Sequence, residues 1–176
     1  MEEYEGVKFG VVPVERALPR EAVADFLKLD RSLASFIHPQ KNEGNLSMRV
    51  EGGFMIKRTG ARLTTCSAQD VVLVLGVEGD EVRAAGGMPS SESRMHWEIY
   101  RRRQDAGAIL HFHDDALLAG VSGPEVGPFH YGTPELADAV GKAAENSDMI
   151  KIREHGLVVV AKDGTGLLTK LGRLYK

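Results

Sequence analysis

Apolar residues recur at two different spacings along this chain, and the spacing changes from one stretch to the next. From Pro19 they recur every three or four residues until Pro39, which predicts a helix that packs against a core. The same spacing predicts a helix that opens at Pro89–Glu92, a helix over residues 133–146 and a leucine-rich helix over residues 166–176. Four helical segments therefore separate the stretches in which apolar residues are consecutive.

The consecutive or alternating apolar stretches predict short strands. Two of them flank Gly52-Gly53, and two flank Gly79-Asp80, as in β-hairpins. Strands and helices mix without strict alternation, so the pattern predicts an α/β protein with a sheet covered by helices. The predicted strands cover residues 46–50, 54–57, 71–75, 108–113, 149–153 and 157–161.

Composition fits a single domain over residues 1–176. The chain has 43% hydrophobic and 27% charged residues, which is enough apolar material for one core. No internal repeat, low-complexity segment or linker divides it. The net charge is −3 with both signs interspersed, so no basic field indicates nucleic acid or an anionic membrane as a partner.

Cysteine usage and the first residues bear on location. Cys66 is the only cysteine, which excludes an intrachain disulfide framework and is typical of a reducing compartment. Met1–Glu5 is acidic and lacks the apolar region that is typical of a signal peptide. No stretch approaches the roughly 20 apolar residues that span a bilayer. These features predict a cytoplasmic protein.

The strand over residues 108–113 contains a candidate metal site. Alternate side chains leave a strand on the same face, so His111 and His113 can direct both imidazoles to one point while Phe112 turns into the core. The best third candidate is His155, which precedes Gly156 at the start of an apolar run. Three neutral imidazoles with one open position are typical of a catalytic zinc site, which predicts one Zn²⁺ per chain.

Two other stretches offer donors for an anion. Ser90, Ser91 and Glu92 open a helix, where backbone N–H groups attract negative charge. Thr59-Gly60 closes a hairpin, where glycine lets a backbone N–H approach a ligand. Each stretch also has an ordinary interpretation. The glycine is common in turns, and the serines and glutamate suit an N-cap and the first turn of a helix.

The order of these motifs resembles the class II aldolase/adducin family. The resemblance implies the three-layer α/β/α aldolase fold with a mainly antiparallel central sheet, and a cyclic homotetramer with active sites at subunit interfaces. It also implies zinc and a phosphorylated sugar substrate. The residues that carry it are Gly44-Asn45-Leu46-Ser47, Thr59-Gly60, Pro89-Ser90-Ser91-Glu92, His111-Phe112-His113 and His155-Gly156.

The resemblance also assigns roles to individual residues. The substrate phosphate is expected at Asn45, Thr59, Gly60, Ser90 and Ser91. Beside it, Glu92 transfers a proton while the metal held by the three histidines stabilises an enediolate. The leading interpretation is aldol cleavage or formation of a carbon–carbon bond.

Two groups of alternatives remain open. Epimerases, dehydratases and decarboxylases of the same family use the same parts. A non-enzymatic module like the adducin head domain is the remaining possibility. It is disfavoured because an interaction module has no physical need for a converging set of metal ligands.

One segment departs from the sugar-phosphate aldolases. Those enzymes have a longer segment after the HxH strand. This segment supplies a tyrosine that acts as an acid in the active site of a neighbouring subunit. Here residues 121–128 form a short segment without tyrosine. The proton donor to the leaving aldehyde is therefore expected to be Tyr131, Tyr175 or water.

Overall fold

Residues 6–176 are described by a computed structural model. The expectation drawn from the acidic segment Met1–Glu5 lies outside these residues. Within the described part, nine strands join in one sheet. They are β1 (Gly10–Pro13), β2 (Asn45–Val50), β3 (Gly53–Lys57), β4 (Val71–Glu78), β5 (Glu81–Ala85), β6 (Ala108–Phe112), β7 (Glu125–Val126), β8 (Met149–Ile152) and β9 (Gly156–Ala161).

The sheet is mixed and mostly antiparallel. Its strand order is β1-β5-β4-β3-β2-β6-β9-β8-β7, and parallel pairing occurs only at the two edges, β1 with β5 and β7 with β8. The predicted hairpins β2–β3 and β4–β5 are confirmed. Strand β6 lies in the interior between β2 and β9, so both of its edges are hydrogen-bonded. The candidate metal strand is therefore held on both sides.

Helices pack on the sheet through two separate apolar clusters. The helices are α1 (Arg20–Ser32), α2 (Ser93–Arg102), α3 (Asp115–Gly120), α4 (Pro134–Ala144) and α5 (Gly164–Leu174). One cluster combines residues of α1 and α5 with Leu110 and Phe112 of β6. The other combines residues of α2 and α4 with Ile109 of the same strand. Because neighbouring residues of a strand point to opposite faces, the two clusters lie on the two faces of the sheet.

Three local predictions need correction. The helix that starts near Pro19 ends at Ser32 and continues only as a short 3-10 turn, well before Pro39. Helix α2 begins at Ser93, so its N-cap is Glu92 rather than a serine. The run Arg101-Arg102-Arg103 predicts a solvated helix end, but Arg102 and Arg103 are largely buried against carboxylates of other segments. For Glu92 and the two arginines, contacts with distant segments accompany the departure from the local pattern.

No helix among residues 6–176 is both long and apolar enough to cross a membrane.

Candidate metal centre

Strand β6 delivers the first two histidines. His111 is fully buried, and Phe112 turns to the opposite face with 2% of its surface exposed, as predicted. His113 follows the last strand residue and is partly exposed. The Nδ1 atom of His111 lies 3.0 Å from the carbonyl oxygen of Leu157, so Nδ1 carries the proton and donates it there. The lone pair of His111 Nε2 is thereby directed away from β9 and towards His113.

The turn between β8 and β9 delivers His155. Its preceding residue, Glu154, has a φ of +59°, in the left-handed region that non-glycine residues rarely adopt. The residue after His155 must be small. A Cβ on Gly156 would lie 2.6 Å from the carbonyl oxygen of Phe112 and 2.9 Å from Cδ2 of His113. Glycine at this position lets the turn pack directly on the other two histidines.

The three imidazoles converge closely enough to hold one metal ion. Their nitrogen ligand atoms all lie within 4.8 Å of one another, and the Nε2 atoms of His111 and His113 are 3.2 Å apart. Ligand nitrogens at the Zn–N distance of about 2.0–2.1 Å in a tetrahedron are roughly 3.3 Å apart. Burial lowers the pKa of His111 to about 3 and also lowers that of His113, which keeps both imidazoles neutral. Neutral imidazole is the form that binds metals.

Glu92 points at the same place from the start of α2. Its Oε1 atom lies 3.2 Å from Nε2 of His155, and its Oε2 atom lies 3.2 Å from Nε2 of His111. The side-chain amide of Asn45 donates to Oε2 at 2.8 Å. Burial raises the pKa of Glu92, but the two histidines and the Asn45 donor outweigh it and hold the pKa below its ordinary value. The carboxylate is buried, ionised and aimed at the imidazoles.

A cavity of about 380 Å³ opens beside this carboxylate. It brings together all five residues expected to hold a phosphate, although they come from three separate stretches, and it includes two of the three histidines. His111 is buried next to Glu92. The predicted site residues that line the cavity are Asn45, Thr59, Gly60, Ser90, Ser91, Glu92, His113 and His155.

Backbone pairing explains how the glycine turn reaches the start of α2. Arg58 and Pro89 form an isolated antiparallel bridge. On its two sides, the N–H of Ser90 donates to the carbonyl of Lys57 at 3.0 Å, and the N–H of Thr59 donates to the carbonyl of Met88 at 3.2 Å. This backbone pairing holds the two anion-binding candidates against each other.

Comparison with known proteins agrees with this geometry. The family model described as Class II Aldolase and Adducin N-terminal domain matches residues 24–130, more than half of the chain. The chain belongs to this family. The matched range includes Glu92, His111 and His113, whereas His155 lies beyond it.

Three curated relatives each share 28% sequence identity with this chain. The chain is 28% identical over 138 residues to L-fuculose phosphate aldolase of Escherichia coli K12, covering 68% of this chain and 63% of the relative. It is also 28% identical over 167 residues to L-fuculose phosphate aldolase of Methanococcus maripaludis C5, covering 84% and 88%. A fluorothreonine transaldolase of Streptantibioticus cattleyicolor matches at 28% over 152 residues. The chain spans 24% of that transaldolase and under two thirds of the Escherichia coli enzyme.

Solved structures share the fold. L-fuculose-1-phosphate aldolase of Thermus thermophilus superposes with a TM-score of 0.69 at 26% identity, covering 89% of both chains. A sugar-phosphate aldolase of Thermotoga maritima gives a TM-score of 0.72 at 21% identity, covering 88% of this chain and 90% of that one. The likeness extends over the whole sheet rather than the motif alone.

The two candidate tyrosines of this class II aldolase/adducin domain lie in different places. Tyr131 lines the cavity of Glu92, and its hydroxyl donates to the carbonyl of Gly6 at 3.3 Å. Tyr175 lines a second cavity of about 270 Å³ on another side of His113. Its hydroxyl donates to Oδ2 of Asp114 at 2.8 Å. Tyr131 therefore shares a cavity with the proposed base, and Tyr175 does not.

The sequence left the roles of two buried polar residues near the site open. Lys57 is 2% exposed and lines the cavity, with its ammonium donating to the carbonyls of Asn42 and Ala61. The position of His96 on an amphipathic helix predicts a packing residue, but His96 is fully buried and hydrogen-bonded to Asn45 and Ser47. The hairpin alternation left the direction of Lys57 open. For His96, polar residues recurring at positions 96 and 100 of an otherwise apolar helix face were the available signal.

Proposed function

We propose that this domain is a zinc-dependent class II aldolase that cleaves or forms a carbon–carbon bond in a phosphorylated sugar. One observation carries the proposal. A buried carboxylate, Glu92, faces three converging imidazoles at one cavity, and the same cavity contains a glycine turn and a helix start that suit an anion. A module that only binds other proteins does not need this combination.

The anionic end of the substrate is assigned to the cavity wall formed by Asn45, Thr59, Gly60, Ser90 and Ser91. Support comes from the backbone pairing that joins the two stretches and from the buried ammonium of Lys57 beside them. Two carbonyl oxygens hold that ammonium in place. Burial lowers the pKa of Lys57, and nearby carboxylates such as Asp30 and Glu92 oppose this. In its charged form the ammonium favours a dianionic phosphate over a neutral sugar.

The metal is assigned to His111, His113 and His155. An all-imidazole set suits zinc, since magnesium and calcium prefer oxygen ligands. When bound there, zinc supplies Lewis-acid stabilisation of the negative charge that develops on substrate oxygens. The neutral state of the buried histidines supports this assignment.

Glu92 is assigned the proton transfer. In the condensation direction its carboxylate accepts the proton from the carbon next to the substrate carbonyl. In cleavage the bond to the neighbouring carbinol carbon breaks first, and Glu92, which takes up a proton from water, then delivers that proton to the carbon left behind. The carbinol hydroxyl loses its proton as the aldehyde forms, and Tyr131 or water exchanges that proton. The position of Glu92 between His111 and His155 supports its role because geometry must bring base and substrate together.

The fold layers, the extent of the domain, the oligomeric state and the location are also proposed. The two apolar clusters on opposite faces of one sheet support the three-layer α/β/α arrangement. The single sheet that includes strands from Gly10 to Ala161 supports one domain over residues 1–176. A homotetramer with active sites at subunit interfaces is proposed by analogy with the family, and a cytoplasmic location is proposed from the cysteine usage. The lone buried thiol of Cys66 suits a reducing compartment.

Turnover tests the function. The zinc-loaded protein is incubated with a panel of phosphorylated ketoses and the matching unphosphorylated ketoses, and aldehyde release is measured. We expect release from a phosphorylated ketose, little from its unphosphorylated match, and none after chelation of the metal. Interconversion of epimers, loss of water or loss of carbon dioxide without aldehyde release would assign a different reaction of the family.

A further inference from the structure

A chain of buried hydrogen bonds runs from Glu92 into the packed side of the sheet. Asn45 contacts Glu92 through Nδ2 at 2.8 Å and His96 through Oδ1 at 2.5 Å. Beyond His96, the Oγ atom of Ser47 lies 2.6 Å from its Nδ1 and 2.9 Å from the hydroxyl of Tyr100. All five side chains are at least 95% buried. None of the last three lines the cavity of Glu92.

The direction of every bond in this chain follows from the carboxylate. Glu92 can only accept, so Asn45 must present its amide N–H₂ to it and its oxygen to His96. Since that oxygen also only accepts, Nε2 of His96 must carry a proton. Burial lowers the pKa of His96 to about 4, so the ring is neutral and its Nδ1 accepts from Ser47.

The far end of the chain is fixed by packing. Ser47 donates to His96 and therefore accepts from the hydroxyl of Tyr100. The ring of Tyr100 lies under the guanidinium of Arg49, 4.7 Å from its centroid, and packs on Phe54 with ring centroids 5.1 Å apart. Phe54 also stacks on His96 at 6.4 Å. Apolar surroundings exclude competing water partners, which makes each bond more selective.

We propose that His96 is a positioning residue for Glu92: as its single neutral Nε2–H tautomer it orients the Asn45 amide, which in turn holds the carboxylate against the cavity. His96 does not line the cavity of Glu92, and its two hydrogen-bond partners are Asn45 and Ser47. Its effect is therefore transmitted through Asn45. The inference rests on the proposed function for the reaction that Glu92 serves, but the tautomer and the orientation do not depend on it.

The tautomer is measured first, on the intact zinc-loaded protein. Long-range proton–nitrogen NMR correlations distinguish protonated from bare ring nitrogens, and the His96 signals are those absent from His96→Gln. We expect a protonated Nε2 and a bare Nδ1 that stay unchanged across neutral pH. A protonated Nδ1 would overturn the proposal, because Nε2 could then no longer donate to Asn45.

Kinetics measure the positioning. His96→Leu removes both hydrogen bonds, whereas His96→Gln can still donate to Asn45 and accept from Ser47. Changes to groups that orient a site residue typically cost about 10- to 100-fold. We expect kcat of His96→Leu to fall by about that factor with KM and zinc content nearly unchanged, and His96→Gln to recover most of the loss. Trp97→Phe, on the next helix position, is the matched control and should retain wild-type kcat.

Two results would contradict this expectation. One is an equal loss in His96→Gln and His96→Leu. The other is a loss confined to KM or to thermal stability. If His96→Leu fails to fold, the glutamine variant and the wild-type tautomer still decide the proposal. If the wild-type protein turns over no sugar phosphate, the aldolase function fails separately, and crystal structures of both variants decide whether Asn45 and Glu92 turn when His96 is lost.

Discussion

The two ends of helix α2 use charged side chains in opposite ways. At its start, Glu92 is 5% exposed, and its contacts are imidazoles and an amide. At its end, Arg102 contacts Glu98, Asp138 and Glu145. The last two carboxylates are each 49% exposed, so water shares in solvating them.

The difference concerns what each charge can do. At the end of α2 every arginine charge meets a carboxylate from α2, α4 or a neighbouring turn, so the charges balance within the protein. At the start, the described partners of Glu92 include no lysine or arginine side chain in direct contact. A buried carboxylate that no cation contacts directly is suited to a proton or a metal, whereas the paired arginines tie segments together.

The largest expected effect comes from exchanging glutamate for glutamine at each end. Glu92→Gln keeps size but cannot accept a proton, so turnover should fall by about 10²–10⁴-fold with fold and zinc content retained. Glu98→Gln, on the same helix, is the control and should leave turnover unchanged. Steady-state kinetics and thermal melting of both variants test this. Near-normal turnover in a folded, metal-loaded Glu92→Gln protein would remove Glu92 from the mechanism.

The two tyrosines provide the next test. Only Tyr131 shares the cavity of Glu92, so we expect Tyr131→Phe to lower kcat, by about 10²-fold if its hydroxyl is the acid. Tyr175→Phe should have little effect because its hydroxyl is directed to Asp114. Measuring kcat for both separates the two cavities. Unchanged rates in both variants would assign the proton to water.

At the other end of the helix we expect an effect on stability alone. Arg102→Met keeps the aliphatic stem but removes its three carboxylate contacts, which we expect to cost about 1 kcal/mol because the partners are partly exposed. For a chain of this size that lowers the thermal midpoint by about 2–4 °C. The difference should shrink in about 1 M salt, where screening shortens to about 3 Å. A loss of kcat in Arg102→Met would show that the two ends are coupled.

Cys66 extends the comparison to a buried ionisable group outside the cavity. Burial raises the pKa of its thiol to about 12, so the thiol stays protonated at neutral pH. The raised pKa stabilises the fold below the ordinary thiol pKa of about 9, and this contribution is lost as pH rises from there through 12. We expect iodoacetamide to label the folded protein far more slowly than the urea-unfolded protein at the same pH. Equal labelling rates would contradict burial.

Local patterns were sufficient to predict most of the fold. Alternation around Gly52-Gly53 and Gly79-Asp80 predicted both hairpins, and the Thr133-Pro134 start predicted α4, where Thr133 accepts from the N–H of Leu136. Helix ends were predicted less well. At Glu92 the side chain contacts His155 of a distant segment, which the spacing of apolar residues does not encode.

The candidate site was likewise predictable only in part. The spacing of His111 and His113 follows from strand geometry, so their common direction could be predicted. The hydrogen bonds of His96 could not, because they depend on β2 lying beside α2 across more than 40 residues of sequence. The sequence shows a histidine on a buried helix face, and only the fold shows that Asn45 and Ser47 lie within reach of its two nitrogens.

Metal binding tests the central claim most directly. Elemental analysis of the purified protein should give about one zinc ion per chain, and His111→Ala and His155→Ala should each bind zinc much more weakly than the parent. His38→Ala changes an exposed histidine outside the cluster and should bind zinc normally. If His111→Ala and His155→Ala bind zinc as tightly as the parent protein, the three imidazoles are not the metal ligands and the proposed centre is wrong.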